Sequence, residues 1–538
     1  MLTIRDILFA SIDNQSPTTF LMKIRDKVNN SFLKTETTRD LLGLLLLSAI
    51  LKIIMALFIG VINHDGMLYI IASQKIAAGS FKEGLAAFGG PLYPLFITLT
   101  HYIVPNWIAA ARLVSIVASI LTIIPLYLLT KEIFHRKAAM WAGCAFALLP
   151  LSNHLSVEVI RDPLFLFFFA WSTYFANRAI KSKKSIHFLL SSLTCLISIL
   201  CRIEGLVLYV FYILFVIYLL FRNTQERINL LKGAFIYVVP LFLFISLGSL
   251  ISEKGLPSTL NRLAEIKSFF NLEFMDSYKD IHGQLEALET SRPLKPPVQN
   301  FIEIARHYMA AIYLIGLLES FSKALFPLYL IPLVLGFWKV RNRNSVFIAL
   351  LAGCYLLMSY YYLVRFDSIR VRHLLTPAFL LHPWIGAGID RIVVYVRGSS
   401  RKHLLTILML LLFGILPTYR SVKIVWKQDT ALPKAGKWMA DIPEFQTAKI
   451  MTNDRRVPFY AARGVDFDLH LSSDFFHMEE LALERQLDLL IMKVPKKKEN
   501  QTVRLKKFRK VKEFLGKKNI VIIYCSPKLY ESIQGRKL

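Results

Sequence analysis

Up to about residue 418 the chain is built from long unbroken apolar blocks separated by short polar stretches, with no sustained alternation of apolar and polar positions. The blocks are about 17–25 residues long, the length a helix needs to cross about 30 Å of hydrocarbon at about 1.5 Å per residue. Backbone polar groups find no water inside a bilayer, so a spanning segment must be a helix or part of a closed barrel; continuous blocks select helices. The pattern predicts about eleven spans, at 41–62, 107–130, 138–156, 163–180, 186–200, 205–221, 233–251, 322–338, 345–364, 374–390 and 403–418. Two long segments separate them. Residues 63–106 contain Pro91, Pro94 and Pro105 and read as short helices lying along the membrane surface. Residues 252–308 carry charges at helical spacing and end in a Pro-rich run, Arg292-Pro293-Leu294-Lys295-Pro296-Pro297. Residues 309–321 read as the start of a longer span or as a re-entrant piece, and Glu319 and Lys323, four apart, can pair on one helix face.

The pattern changes after residue 418. Strand-like pieces at Thr447–Thr452, Leu487–Val494 and Asn519–Cys525 alternate with helix-like pieces at Pro458–Arg463 and Lys506–Leu515, which predicts a small α/β domain over 419–538. The expected organisation is a polar N-terminal segment 1–40, a membrane domain 41–418 and this C-terminal domain. The first apolar block is too long, and too poorly followed by a cleavage site, to be a removable signal.

Composition agrees: 55% of residues are hydrophobic, too many for a water-soluble exterior over 538 residues. The 65 Lys+Arg against 37 Asp+Glu give a net charge of +28, which would first suggest nucleic acid. Its placement argues otherwise. With the N-terminus inside, the short cytoplasmic loops hold 17 basic residues, whereas the short opposite loops hold five: Arg161, Arg202, Arg365, Arg370 and Arg372. Basic residues remain on the cytoplasmic side, so this asymmetry sets the orientation and puts 63–106, 252–308 and the C-terminal domain on the outer face. The Lys-rich stretch 493–518 does not contradict this, because large translocated domains escape the rule. The five cysteines show no paired spacing and support neither a disulfide framework nor a zinc site.

Ionisable groups at the outer ends of spans are costly unless used or paired, and they gather in four clusters. The first is Asn63-His64-Asp65-Gly66, followed by Tyr69 and by Gly89-Gly90-Pro91-Leu92-Tyr93-Pro94; its plain reading is that Asp65 caps a helix starting at Gly66. The second is His154, Glu158, Arg161 and Asp162, where Asp162-Pro163 is a good helix start and Glu158 and Arg161 could pair. The third is Arg202-Ile203-Glu204-Gly205. The fourth, Arg365 to His373, places three arginines where few belong; guanidinium forks bind phosphate, although snorkelling toward headgroups would also account for them. Lys52, near the middle of the first span, reads as a structural group paired inside the bundle. Carboxylates, guanidiniums and imidazoles on one face fit an anionic, lipid-borne substrate.

At these residues the chain resembles the integral-membrane glycosyltransferases that use polyprenyl-phosphate sugar donors, the protein O-mannosyltransferases and the aminoarabinose transferase that modifies lipid A. The likeness runs through Asp65 and Tyr69, Gly90 to Leu95, Arg112 with Ser115, Glu158 to Pro163, and Arg202 to Gly205; it is strongest over about 60–210 and absent from 419 on. It implies a GT-C fold and an inverting transfer of a sugar from a polyprenyl-phosphate donor to a lipid, protein or polysaccharide acceptor. By the same resemblance Asp65 is the base, with Glu158 as its helper. Tyr69, Tyr93, Arg161, Asp162, Arg202, Glu204, Arg370, Arg372 and His373 bind substrate, with Arg202, Arg370 and Arg372 at phosphate. The family often has a second acidic residue where this chain has Gly66, which leaves use of a divalent cation open. The expected location is a bacterial inner membrane. A lipid-linked sugar flippase would also have many spans, but no internal repeat is visible. A non-catalytic assembly factor would use the spans only to anchor the C-terminal domain.

Overall fold

The computed structural model describes residues 35–87, 91–222, 227–251, 274–291, 295–338, 343–426, 428–462, 469–471, 477–496, 505 and 507–533. Most of the expected segment 1–40, Gly89 and Gly90 of the quoted motif, residues 252–273 of the second long loop and Lys506 lie outside these residues.

Helices dominate through Trp426. Among the described residues seven are long and apolar enough to cross a membrane, or up to eight if a bent pair is one span. Of the eleven segments expected from sequence, 163–180 lies in the helix Asp162–Ser182, and three are broken or shorter than expected. The block at 138–156 is two helices, Arg136–Ala147 and Pro150–Val157, broken just before Pro150. Pro150 lacks the amide hydrogen that would continue the first helix. The block at 186–200 folds as the 17-residue helix Ser185–Cys201. Residues 322–338 are not one span either. Pro296–His307 and Met309–Leu325 meet at 77°, Phe326 turns at φ 71, and the chain restarts in a 3-10 turn and the short helix Leu330–Phe337. Glu319 and Lys323 do pair, at 2.5 Å.

The first inter-helix segment contains three helices, His64–Ala77, Phe81–Ala87 and Leu92–His101. Gly79, at φ +85, ends the first, and Pro94 sits within the third rather than breaking it. Helices Asp162–Ser182, Ser185–Cys201 and 375–398 form the interior of the bundle around Phe165, Phe169, Phe379 and Trp384, all buried. Gly388 lets two helices touch there: a Cβ on it would stand 1.8 Å from the Pro332 carbonyl oxygen. Lys52 is fully buried, and its partners are neutral oxygens. Its ammonium donates to Ser48 Oγ at 2.7 Å and Asn153 Oδ1 at 2.9 Å, and Asn153 Nδ2 donates to Ser421 Oγ at 3.2 Å. The network ties the first helix, the broken helix and the last one together.

The last bundle helix continues past the expected 418 to Trp426, through a π-helical stretch Leu411–Ile415. Beyond it five strands form one sheet: β1 Ile450–Thr452, β2 Leu469–Leu471, β3 Leu489–Pro495, β4 Arg509–Leu515 and β5 Asn519–Cys525, in the order β2-β1-β3-β5-β4. β1 is parallel to β2 and β3, whereas β5 is antiparallel to β3 and β4. Successive residues of β5 face opposite ways, as a strand requires: Val521, Ile523 and Cys525 enter one core, Ile520, Ile522 and Tyr524 the other. The expected helix at 506–515 is therefore corrected to a strand. Its Lys and Glu content suits a helix locally, but pairing with β5 decides its state; as an edge strand its lysines blunt further pairing.

Candidate active site

The site is organised by the strap Ile59–Asn63 that leaves the first helix. Arg112 Nη1 donates to the Ile59 carbonyl at 2.9 Å, the amides of Gly60 and Val61 donate to Gln428 Oε1 at 3.2 and 3.3 Å, and the Ile62 amide donates to the Tyr460 hydroxyl at 2.8 Å. Bundle and C-terminal domain thus both grip it. The helix that follows begins at His64, and its cap is Asn63, whose Oδ1 accepts from the Gly66 amide at 2.5 Å. The expectation that Asp65 is the cap is corrected. Asn63 satisfies the helix end, and Asp65 in the first turn is left to face a cavity.

Gly66 has a steric reason. A Cβ there would lie 2.9 Å from both Val159 Cβ and the Val159 carbonyl oxygen, so the helix can approach the Glu158–Asp162 segment only with glycine. No second carboxylate fits beside Asp65.

Asp65 and Tyr69 line a cavity of about 220 Å³ together with Arg161, Asp162, Arg202 and Glu204. Arg372, His373, Tyr362 and Phe366 complete its wall. The sequence clusters, up to 307 residues apart, thus converge: Arg372 Nη1 donates to Asp65 Oδ2 at 2.8 Å. Arg202 is buried and ties the far wall. Its two terminal nitrogens bond Asp162 Oδ1 and Glu204 Oε1, the latter at 2.5 Å, and Nη2 also donates to His373 Nδ1 at 3.2 Å. Burial alone would raise the Glu204 carboxyl, but the Arg202 guanidinium holds it at about 2. Tyr355 fixes the turn by donating to the Glu204 carbonyl at 2.8 Å. Three buried polar atoms of this wall, Arg202 Nε, Glu204 Oε2 and Arg372 Nε, have no protein partner among the described residues. Such atoms are costly unless a polar ligand meets them.

Eight of the eleven residues singled out from sequence line this cavity. Tyr93 does not. It is fully buried, its hydroxyl bonded to Ser115 Oγ at 2.8 Å and donating to the Ala111 carbonyl at 3.0 Å, and its ring meets Tyr69 edge-on at 5.0 Å. It supports Tyr69 from below. Arg370 is exposed on the rim, outside the lining. Glu158 lines a neighbouring space, whereas Arg161 lines this cavity.

That neighbouring space is a cleft of about 690 Å³ between the strap, the last bundle helix and the C-terminal sheet. Glu158 accepts from Asn63 Nδ2 at 3.1 Å and lies 3.5 Å from His154 Nε2. Burial pushes its carboxyl up to about 7, against the opposing pull of Arg112 and Asn63. Asp454 receives Arg456 Nη2 at 2.6 Å and Lys493 Nζ at 3.0 Å; these cations overcome its burial and hold it at about 2. Sequence reasoning missed this cleft. The signal was present in Arg420 and Lys423, two cations just beyond the last span at the end of the bundle where basic residues are scarce.

No group of three or more His, Cys, Asp or Glu stands in metal-binding geometry among the described residues. Asp65 and Asp162 are bonded to Arg372 and Arg202.

The chain is similar to known proteins in one stretch of sequence and in its fold. Residues 89–251 match the family described as dolichyl-phosphate-mannose-protein mannosyltransferase. No curated protein sequence matches the chain. Among solved structures it is similar to ArnT from Cupriavidus metallidurans in the apo state: 12% identity, TM-score 0.50, 91% of this chain and 98% of that one. The same protein bound to undecaprenyl phosphate gives 12% identity and TM-score 0.51 over 90% and 97%. The Archaeoglobus fulgidus oligosaccharyltransferase in complex with Zn and sulfate gives 13% identity and TM-score 0.53 over 84% and 67%. The chain has the GT-C fold of the integral-membrane glycosyltransferases.

Proposed function

We propose that this GT-C chain transfers a sugar from a polyprenyl-phosphate donor to an acceptor hydroxyl on the outer face of the membrane, inverting the anomeric carbon. The observation that carries the reading is the cavity in which Asp65 meets Arg372, beside a wall whose buried donors lack protein partners. The likeness of the fold to ArnT, one structure of which is bound to undecaprenyl phosphate, supports a lipid phosphate as the donor's handle.

In the proposed reaction the acceptor oxygen attacks the anomeric carbon as the bond from that carbon to the phosphate oxygen breaks. Polyprenyl phosphate leaves with the bonding electron pair, and the acceptor proton passes to Asp65. A phosphate needs little protonation to leave, so the step requires a base and cations rather than a dedicated acid. Arg372 is the mobile cation in this scheme, exchanging Asp65 for the phosphate as charge grows there. Arg202, already committed to Asp162 and Glu204, positions the wall instead of supplying a free fork. Glu158, its carboxyl pushed up to about 7 by burial, serves as a second proton carrier at the cleft side of Asn63. The loop charge asymmetry supports an orientation with the N-terminus inside, and the proposed location is a bacterial inner membrane.

The test is transfer of label from a panel of radiolabelled polyprenyl-phosphate sugars to a cell-envelope acceptor, by the protein in lipid and by Asp65→Asn. Transfer with the native chain alone supports the proposal. Donor bound but neither transferred nor hydrolysed by the native chain would point to a flippase.

A further inference from the structure

The cleft beside the Asp65 cavity is lined by five cations, Arg420, Lys423, Arg456, Lys493 and Lys518, against two carboxylates, Glu158 and Asp429. Asp429 is committed to the protein. It accepts from the amides of Asn519 at 2.7 Å, Lys518 at 3.2 Å and Ala431 at 3.2 Å, and from Asn519 Nδ2 at 2.9 Å. Arg456 and Lys493 share Asp454. Arg420, Lys423 and Lys518 have no carboxylate within ion-pair distance among the described residues, and all three are exposed to the cleft side of the molecule. Arg420 and Lys423, three apart, share one helix face. Mutually repelling cations placed around a concavity cost stability unless an anion is held there.

We propose that this cleft receives the acceptor, and that the acceptor carries a phosphate group held by Arg420, Lys423 and Lys518. The inference rests on the transferase reading above. Its size suits a sugar-phosphate head group, since ligand sites run to about 300–1,000 Å³. Its position suits an acceptor, because cleft and cavity share their dividing wall. Asn63 and Glu158 face the cleft, while Asp65, Arg161 and Asp162 on the same two segments face the cavity. An acceptor held here presents its hydroxyl over the Asn63 end of that wall to Asp65 in the cavity, while its phosphate remains on the cations. Arg420 and Lys423 lie on the same helix as Trp426, which is exposed and stacked on Phe58 at 6.1 Å, an arrangement typical of the membrane interface. A phosphate-bearing lipid head group can therefore enter from the bilayer, and a soluble sugar phosphate from water.

The full chain in phosphatidylcholine nanodiscs would be titrated with two charged probes, glucose 1-phosphate and phosphatidic acid, beside their neutral counterparts, glucose and diacylglycerol. Affinity and protection of Lys423 and Lys518 from acetylation are both read. The expected result is at least tenfold tighter binding of a charged probe than of its counterpart. That preference should be lost in Arg420→Gln/Lys423→Gln and restored in the charge-conserving Arg420→Lys/Lys423→Arg. The tighter charged probe identifies the source, lipid or soluble. Equal binding of charged and neutral probes, or an unchanged preference in the Gln pair, overturns the phosphate site. Donor turnover in the same preparation is read separately: phosphate binding without any donor turnover would overturn the transferase reading and the acceptor role while leaving the anion site.

Discussion

Arg372 donates to Asp65 at 2.8 Å, joining the first turn after the opening helix to a turn 307 residues later. Neither group is deeply buried, so the pair holds by geometry more than by a low dielectric, and a phosphate can compete for the guanidinium. Removing the carboxylate should therefore disable chemistry and spare the fold. Asp65→Asn is expected to reduce transfer by about 10²–10⁴-fold, the usual worth of a positioned base. Thermal unfolding should remain within a few degrees of the native chain. Full activity in a correctly inserted Asp65→Asn protein would remove Asp65 from the mechanism.

Gly66 makes a steric prediction. Gly66→Ala forces a Cβ to 2.9 Å from the Val159 backbone, and overpacking of this kind costs about 1–3 kcal/mol. Gly66→Asp, which would place a second acid beside Asp65, should be worse. Lower yield and a depressed unfolding temperature for both are expected; native-like stability with gain of activity in Gly66→Asp would show that the helix can back away from Val159.

Glu158 gives a pH dependence whose sign is fixed by the direction of its shift. Its folded value, about 7, is above that of the unfolded chain, so the folded state favours the protonated form. Its contribution to stability is fully present below the unfolded value and is lost as pH rises through about 7. Glu158→Gln should flatten the unfolding temperature between pH 5 and 8 and raise it at pH 8. An identical pH profile in the variant would contradict the buried environment of this carboxyl.

Asp454 has the opposite sign. Arg456 and Lys493 depress it to about 2 against burial, so its contribution is present above the unfolded value and is lost as pH falls toward 2. Asp454→Asn leaves two cations unpaired beside the strap. The expected outcome is a lower unfolding temperature at pH 7 whose difference from the native chain shrinks as the buffer is taken toward pH 3. A gap that widens instead would rule out this account.

Lys52 and Asn153 test the bundle interior. Removing one partner of a buried charge costs about 3–5 kcal/mol, whereas replacing both by apolar groups can be neutral. Asn153→Leu should destabilise strongly, and Lys52→Met combined with Asn153→Leu should recover most of the loss. Equal instability of the single and double variants would mean that volume, not charge, dominates there.

Local pattern made much of this legible. The apolar blocks declared a helical bundle because block length and bilayer thickness are the same physical quantity. β5 was visible over its exact range because a strand buried on both faces reads as a short apolar run. The stretch 506–515 misled because an edge strand takes its state from β5, a partner no window along the chain includes. Seven of the eight cavity residues were found because charges at the ends of apolar blocks are costly and therefore conspicuous; Tyr69 came from the resemblance.

The sequence by itself determined that the chain is a helical membrane protein whose ionisable groups collect at one end, since hydrophobic length and desolvation cost act residue by residue. Only the tertiary structure decided how those groups divide. It gave Asn63 the cap and Asp65 the cavity, spent Arg202 on Asp162 and Glu204, put Glu158 across the wall, and left Arg420, Lys423 and Lys518 around a second opening. Pairing and exclusion depend on distances between segments hundreds of residues apart, and those distances exist only once the bundle has packed.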